Sequence, residues 1–312
     1  MKIAFAPSLN GLGHLRRLIS IANPLRELGF EITFVLSNQY ILSAKFISIL
    51  KDQKIDFLSV PTPKYVDGPF TQRSDKSEDI YLTSKNLGAY DFIIADTVTW
   101  PLGIHDKVIF IGQFTWDLYY RHALIGKDKE KSQEQNLEKN ALVVFGMIDF
   151  TWPEIAKLHN YQPIPLLDYW KLRNLTVDRE KKLGIISSGI EESGILDVRR
   201  KMDLIEVSAP ESYYSRYGSY PVGILCRAGL GAISEILSIK SVPILFPSDD
   251  FELSRNVDIL LGKGWGILLD HEQASNPSAL IERSVELARS IEFPSTISSS
   301  DLAGIILKSG VL

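Results

Sequence analysis

Short apolar runs alternate with longer amphipathic segments along the chain, and this alternation restricts the fold more than any other feature. In the first half, the runs predict strands over residues 2–6, 31–36, 56–60, 91–96, 107–112 and 141–146. Apolar residues recur at spacings of three and four over 15–28, which predicts a helix with one buried face that ends at Gly29. Strands that alternate with helices in this way indicate a parallel, doubly wound α/β sheet.

A second series of the same kind follows residues 159–182, a stretch of mixed charge whose two prolines break the pattern. Strands are predicted over 183–189, 203–208, 221–226, 242–247 and 265–270. Helices are predicted near 191–201, from 231, over 252–262 and from 277. We therefore predict two Rossmann-like domains of α/β class, residues 1–165 and 180–298, with a cleft between them. Residues 299–312 are predicted to form a C-terminal helix that returns to the first domain.

Composition excludes several classes of protein. The chain has 34 Lys and Arg against 38 Asp and Glu, so nucleic acid is not an expected partner. The single cysteine, Cys226, excludes a disulfide framework and a thiolate metal cluster. No apolar run approaches the length of a membrane span, and the first run is too short for a signal peptide. We expect a cytoplasmic protein, and peripheral contact with the inner face of the membrane is compatible with this composition. Its oligomeric state is left open.

The segment SLNGLGHLRRL, residues 8–18, follows the first predicted strand. Gly11 and Gly13 predict a turn that opens a helix, whose free N–H groups and dipole favour anions. Arg16 stands where a dinucleotide fingerprint has its third glycine, and the second strand ends in LSNQ, without an acidic residue for a ribose hydroxyl. We therefore expect no nicotinamide or flavin cofactor, and no other cofactor. Arg16 and Arg17 are predicted to bind a phosphate, a diphosphate or an anionic lipid head; alternatively they reach solvent or a nearby carboxylate.

The segment GILCRAGLGAISEIL, residues 223–237, repeats this arrangement. A buried strand ends at Cys226, and a helix opens after a loose turn, so backbone amides and an arginine form a second predicted anion site. This turn consists of Arg227, Ala228, Gly229, Leu230 and Gly231. Glu235 lies about one helical turn further on and could accept the two hydroxyls of a ribose. Its other interpretation is that of an ordinary acidic residue near a helix start.

These motifs resemble a known family. GLGH, an amphipathic helix and GFEITFV resemble the opening of GT-B glycosyltransferases. The pattern C-R-x-G-x-x-x-x-S-E, then P-x-L-x-P and Asn256, resembles the nucleotide-sugar half of the N-acetylglucosaminyltransferases that form lipid II, in glycosyltransferase family 28. The resemblance implies the GT-B fold, two facing Rossmann-like domains with the donor nucleotide on the C-terminal one and the acceptor on the other. It also implies a role in cell-envelope polysaccharide synthesis.

The resemblance also implies roles for individual residues. Glu235 would bind the ribose, and the turn from Arg227 to Gly231 would lie by the diphosphate. Ser188 and Gly189 resemble a small-residue loop near the donor phosphates. Glutamines are common in the family where this chain has DDFELSRN, a stretch that offers Asp249, Asp250, Glu252 and Asn256 instead. Asp250 and Asn256 are the candidates that we retain, and this departure leaves the identity of the donor sugar open.

The segment DFIIADTVTW, residues 91–100, resembles the A-D-x-x-x-W segment of nucleotide-sugar glycosyltransferases that use a His–Asp pair. An acceptor hydroxyl must lose a proton as it attacks the anomeric carbon, and a neutral imidazole held by a carboxylate suits that task. Asp96 ends a predicted strand at the sheet edge that carries His14, so we predict contact between the two. Alternatively, His14 is a helix cap or loop residue and Asp96 caps a following helix.

Together these features predict the transfer of a sugar from a nucleotide diphosphate sugar, expected to be UDP-linked, to the hydroxyl of a sugar, a lipid-linked molecule or a small molecule. The transfer either inverts or retains the anomeric configuration, and the resemblance favours inversion. A divalent metal is not expected, because the histidines are scattered and no D-x-D motif occurs. His14 and Asp96 are the expected catalytic residues. One alternative is a nucleotide-sugar hydrolase, since GLGHLRR also resembles such enzymes of nonulosonic acid synthesis. Another is a non-catalytic nucleotide-sugar-binding subunit, because 203–226 lacks one strand–helix step usual in the family.

Overall fold

The computed structural model describes residues 1–8, 12–37, 43–60, 87–123, 132–168, 179–186, 202, 204–207, 219–270 and 275–311. The chain divides into two compact units, which are described separately. The first unit is Met1–Ile164 with Ser299–Leu312, and the second is Pro165–Ser298. The helix predicted near 191–201 lies outside the described residues.

The first unit is built on seven parallel strands. These are β1 (Lys2–Pro7), β2 (Glu31–Ser37), β3 (Asp56–Val60), β4 (Phe92–Asp96), β5 (Val108–Ile111), β6 (Ala141–Met147) and β7 (Tyr161–Ile164). They lie in the order β3-β2-β1-β4-β5-β6-β7. The strand order changes direction between β1 and β4. The apolar side chains of both strands are buried, because helices cover a doubly wound sheet on both faces. Such a switch point is where open α/β sheets bind ligands.

Among the described residues of 12–168, five α-helices accompany this sheet. They are α1 (Leu12–Glu27), α2 (Ser43–Asp52), α3 (Trp116–His122), α4 (Ser132–Asn140) and α5 (Pro153–Ala156). Helix α1 buries Leu15, Leu18 and Leu25, as the spacing predicts. It ends at Glu27, just before Gly29, whose φ of 87° lies in the left-handed region that glycine adopts most readily.

Residues 159–182 contain structure that the sequence did not indicate. Tyr161–Ile164 pairs with β6 as the edge strand β7. Leu166–Asp168 forms β8, which pairs with β14 (Thr296–Ser298) in a separate two-stranded sheet. Pro163 interrupts the apolar pattern and removes one amide donor, which an edge strand tolerates because it needs donors on one side only.

The second unit has a five-stranded parallel sheet. Its strands are β9 (Arg179–Ile185), β10 (Ile205–Glu206), β11 (Tyr220–Cys226), β12 (Val242–Leu245) and β13 (Ile267–Leu268), in the order β10-β9-β11-β12-β13. Its described helices are α6 (Leu230–Ser238), α7 (Phe251–Gly262) and α8 (Pro277–Ser290). A core that includes Leu183, Leu225, Ile244 and Leu280 joins α8 to this sheet. The prediction of two parallel α/β sheets is confirmed.

The chain ends in the first unit. Helix α9 (Ser299–Ile306) packs against α1, and Leu302 and Ile306 are fully buried. Helix α1 therefore contacts β1, β2 and α9. Among the described helices, none combines the length and the apolar character that crossing a membrane requires.

Candidate active site

His14 and Asp96 meet at the switch point of the first sheet. His14 is the third residue of α1, and Asp96 is the last residue of β4. Nδ1 of the imidazole lies 2.9 Å from Oδ1 of the carboxylate. Strands β1 and β4 are paired at this level, since the amide of Ser8 donates to the carbonyl oxygen of Asp96 over 3.0 Å. The predicted contact between the two residues is confirmed.

The carboxyl group of Asp96 is completely buried, yet it is ionised. Burial by itself raises its pKa, but the positive charge of Arg17 and the contact with His14 outweigh that effect and lower the pKa to about 2. An ionised carboxylate can only accept hydrogen bonds, so Nδ1 of His14 is the donor in this contact. The lone pair of the neutral imidazole is then on Nε2, and the side chain of His14 is 18% exposed.

Arg17 binds the same carboxylate through two parallel hydrogen bonds. Nε donates to Oδ2 of Asp96 over 2.6 Å, and Nη2 donates to Oδ1 over 2.5 Å. Nη2 also lies 3.1 Å from Nδ1 of His14, but both atoms carry protons there, so this approach is not a hydrogen bond. Arg17 is only 3% exposed. The structure corrects the expectation that Arg17 binds a substrate anion, because its guanidinium is buried against Asp96; Arg16, in contrast, is exposed.

Thr97 is the third side chain that donates to Asp96. Its hydroxyl reaches Oδ1 over 3.0 Å, and its backbone φ is 57°. A β-branched residue in the left-handed region is strained, and such strain persists where the surrounding structure enforces it. Thr97 was not predicted as a site residue, because no sequence signal marks it. A nearby carboxylate was the alternative partner of Arg17, and the spacing of three residues from His14 placed both side chains on one face of α1.

In the second unit, α6 begins without a side-chain cap. Gly229 is the N-cap residue, with φ of −69° and ψ of 135°, a conformation open to any residue. A Cβ atom at Gly229 would meet no described atom within 4 Å. Neither the backbone nor the packing therefore requires glycine here. The open space lets a ligand approach the amides at the helix start, where an anion is favoured. Arg227 and Gly231 flank this start and are partly exposed.

Glu235 is the sixth residue of α6 and is 4% exposed. Burial raises the pKa of the Cys226 thiol well above its usual range, and the negative charge of Glu235 adds to this increase. The carboxylate therefore lies near the carboxyl end of β11, which Cys226 terminates. The binding of a ribose by Glu235 stays a prediction.

The other candidate residues of this unit have structural partners. The side-chain amide of Asn256 is buried and donates to the carbonyl oxygen of Ala228 over 2.9 Å, so it holds the turn before α6. The Asp250 carboxylate caps α7, where it accepts from the amide of Leu253 over 3.1 Å. Ala228 and Leu230 are buried, which leaves their backbone as the part that a ligand could contact. Contact of Asp250 or Asn256 with the donor sugar stays a prediction.

Three of the candidate residues, Gly11, Ser188 and Gly189, lie outside the described residues. Their predicted contacts with substrate remain predictions. The structure thus brings together His14, Asp96 and Arg17 in the first unit. In the second unit it places Arg227, Gly229 and Gly231 at the start of α6, and Glu235 six residues into that helix.

The two parallel sheets and their strand orders define the GT-B fold, and full-length comparisons with solved structures confirm it. LpCGTa in complex with UDP is 12% identical, with a TM-score of 0.60 over 99% of both chains. MurG of Acinetobacter baumannii is 12% identical, with a TM-score of 0.59 over 98% of this chain and 99% of that one. UGT89C1 of Arabidopsis thaliana, complexed with UDP-L-rhamnose, is 11% identical, with a TM-score of 0.58 over 99% and 98%. No family model and no curated protein sequence matches the chain.

Proposed function

We propose that this protein transfers a sugar from a nucleotide diphosphate sugar to a hydroxyl group of an acceptor. The observation that carries the proposal is the contact of His14 with the buried, ionised Asp96 at a sheet switch point. Nε2 of His14 takes the proton of the acceptor hydroxyl as its oxygen attacks the anomeric carbon. Asp96 stabilises the imidazolium that forms. A base positioned in this way contributes about 10²–10⁴-fold to the rate.

The nucleotide diphosphate leaving group is held by the second unit. The uncapped amides of α6 and the guanidinium of Arg227 stabilise the charge that develops on the diphosphate, in place of a divalent metal. Glu235 accepts the ribose hydroxyls, and Arg16 binds an anionic part of a substrate. A UDP-linked donor is supported by the UDP bound to LpCGTa and the UDP-L-rhamnose bound to UGT89C1. One direct displacement at the anomeric carbon inverts its configuration.

A nucleotide-sugar hydrolase is the second candidate, because the same base deprotonates a water molecule as readily as a hydroxyl group. The resemblance of GLGHLRR to nucleotide-sugar hydrolases favours this reading. The products separate the two functions. Free sugar and UDP in the absence of any acceptor identify a hydrolase, whereas UDP released only together with a glycosylated acceptor identifies a transferase.

A ligand screen followed by one substitution tests the proposal. UDP, GDP, dTDP and CMP, each with and without a sugar, are added during thermal unfolding. A ligand at a hundredfold excess over its Kd stabilises the protein by about 2.7 kcal/mol. The stabilising nucleotide sugar is then offered to sugar, lipid-linked and small-molecule acceptors. We expect His14→Ala to keep donor binding and to lose turnover.

His159→Ala is the matched control, since His159 is an exposed histidine on the surface of the same unit. It should keep both donor binding and turnover. Absence of stabilisation by every nucleotide sugar contradicts the proposal. Binding with a turnover that His14→Ala does not change supports instead a non-catalytic subunit that binds nucleotide sugars.

A further inference from the structure

The carboxylate of Asp96 has two cationic neighbours of different kinds. His14 is positively charged only when its imidazole is protonated, whereas the guanidinium of Arg17 is charged at every accessible pH. Both come from α1, with a spacing of three residues that places them on one face of the helix. Among the described residues, these two are the charged or titratable side chains in contact with Asp96.

A buried carboxylate needs a positive partner, and this requirement conflicts with general-base catalysis by His14. If His14 were its only partner, the carboxylate would retain a proton on the imidazole, and a protonated imidazole cannot accept one from a substrate. Arg17 removes the conflict because it supplies the charge permanently. Its planar guanidinium also binds both carboxylate oxygens at once, which fixes the plane of the group.

We propose that Arg17 is a positioning residue that neutralises and orients Asp96, so that the imidazole of His14 donates from Nδ1 to the carboxylate while it is neutral. Nε2 then carries the lone pair that the proposed reaction needs. Arg17 itself does not touch the substrate, because its guanidinium is buried against Asp96. This role rests on the proposed function as regards turnover, but the protonation state of His14 is a property of the protein alone.

Nuclear magnetic resonance tests the proposal without any substrate. Long-range ¹⁵N–¹H spectra of histidine-labelled protein distinguish the two neutral tautomers from the imidazolium, and the loss of a signal in His14→Gln assigns it. In the wild type we expect the neutral imidazole of His14 to carry its proton on Nδ1, where it donates to Asp96. In Arg17→Met we expect protonation of both nitrogens, because Asp96 then has His14 as its remaining cationic partner. Arg26→Met, on the exposed face of the same helix, should retain the wild-type spectrum.

Enzyme kinetics test whether Arg17 affects turnover by way of Asp96. Arg17→Met should lower kcat by at least about tenfold and leave KM for the donor unchanged. This loss lies within the rate enhancement that a general base contributes. Arg17→Lys keeps the charge but loses the paired hydrogen bonds, so its kcat should lie between those of Arg17→Met and the wild type. In an Asp96→Asn background the loss caused by either substitution should largely disappear, since Arg17 acts through Asp96.

Three results overturn the proposal. A wild-type His14 spectrum in Arg17→Met shows that Arg17 does not control the imidazole. If Arg17→Met increases KM for the donor, and this effect is additive with that of Asp96→Asn, Arg17 contacts the substrate directly. An unchanged kcat in Arg17→Lys shows that the paired geometry has no function. If Arg17→Met fails to fold, Arg17→Lys, Asp96→Asn and their double variant complete the cycle. If no donor is ever turned over, the proposed function fails, while the spectra still decide the role of Arg17.

Discussion

Arg17 and Glu235 occupy equivalent positions in two helices and carry opposite charges. Each is the sixth residue of its helix, each helix opens within a Gly-Leu-Gly segment, and the two residues are 3% and 4% exposed. Arg17 binds Asp96 at the end of β4, and Glu235 lies near Cys226 at the end of β11. The same inward-facing helix position therefore carries a cation in the first unit, where it binds the carboxylate of Asp96. In the second unit it carries a carboxylate, that of Glu235.

Asp96 should make stability depend on pH in the acid range. Its pKa is about 2 in the folded protein and 3.8 without the protein's influence, so the unfolded chain binds more protons between these values. Stability is therefore fully present above about pH 5 and decreases as the pH falls through 2, by about 2 kcal/mol in total. Urea unfolding from pH 6 to pH 2 measures this loss. Asp96→Asn should show a shallower decrease than Asp258→Asn, an exposed control, and equal slopes would contradict the assignment.

Substitutions at Thr97 should separate backbone strain from the hydroxyl bond. Thr97→Ala keeps the positive φ and loses the hydrogen bond to Asp96, so it should destabilise the fold by about 1–2 kcal/mol. Thr97→Gly loses the same bond but relieves the strain, which amounts to about 1–2 kcal/mol for a residue in the left-handed region. Denaturant unfolding should therefore find the glycine variant the more stable of the two. The reverse order would mean that the turn imposes no strain.

Gly229→Ala should affect ligand binding but not folding. The φ of −69° accommodates alanine, and the added Cβ meets no described atom within 4 Å, so the free energy of unfolding should change by less than about 0.5 kcal/mol. Donor binding should weaken at least about tenfold, or 1.4 kcal/mol, because the methyl group occupies the approach to the amides of α6. Calorimetry with UDP or the donor measures this change. Gly262→Ala, at a similarly open position, should leave both quantities unchanged, and wild-type affinity in Gly229→Ala would place the diphosphate elsewhere.

Cys226 should be unreactive in the folded protein. Burial and the charge of Glu235 raise the pKa of its thiol, so almost no thiolate exists at pH 8. A disulfide reagent at pH 8 should therefore label the folded chain far more slowly than the chain in denaturant. Glu235→Gln removes one of the two causes and should leave labelling slow, because burial is the larger one. Rapid labelling of the native protein would show that the end of β11 is accessible to solvent.

Much of the fold could be predicted because its signals are local. Apolar runs identified the first six strands of the first sheet, and apolar spacing identified α1 and its end near Gly29. Strand β7 was missed because Pro163 interrupts its short apolar pattern, and its pairing with β6 stabilises it. A strand that depends on its neighbour in this way leaves little trace in its own residues.

The sequence by itself determined the two parallel α/β sheets and placed His14, Asp96, Arg227 and Glu235 near the ends of buried strands, because hydrophobic periodicity and glycine turns act over a few residues. Only the tertiary structure decided which of these groups meet. Arg17 binds a carboxylate 79 residues further along the chain because β4 lies beside β1, although more than fifty residues separate the two strands in the sequence. Strand order is a property of the whole sheet, and so is the strained turn at Thr97 that completes the hydrogen bonds of Asp96.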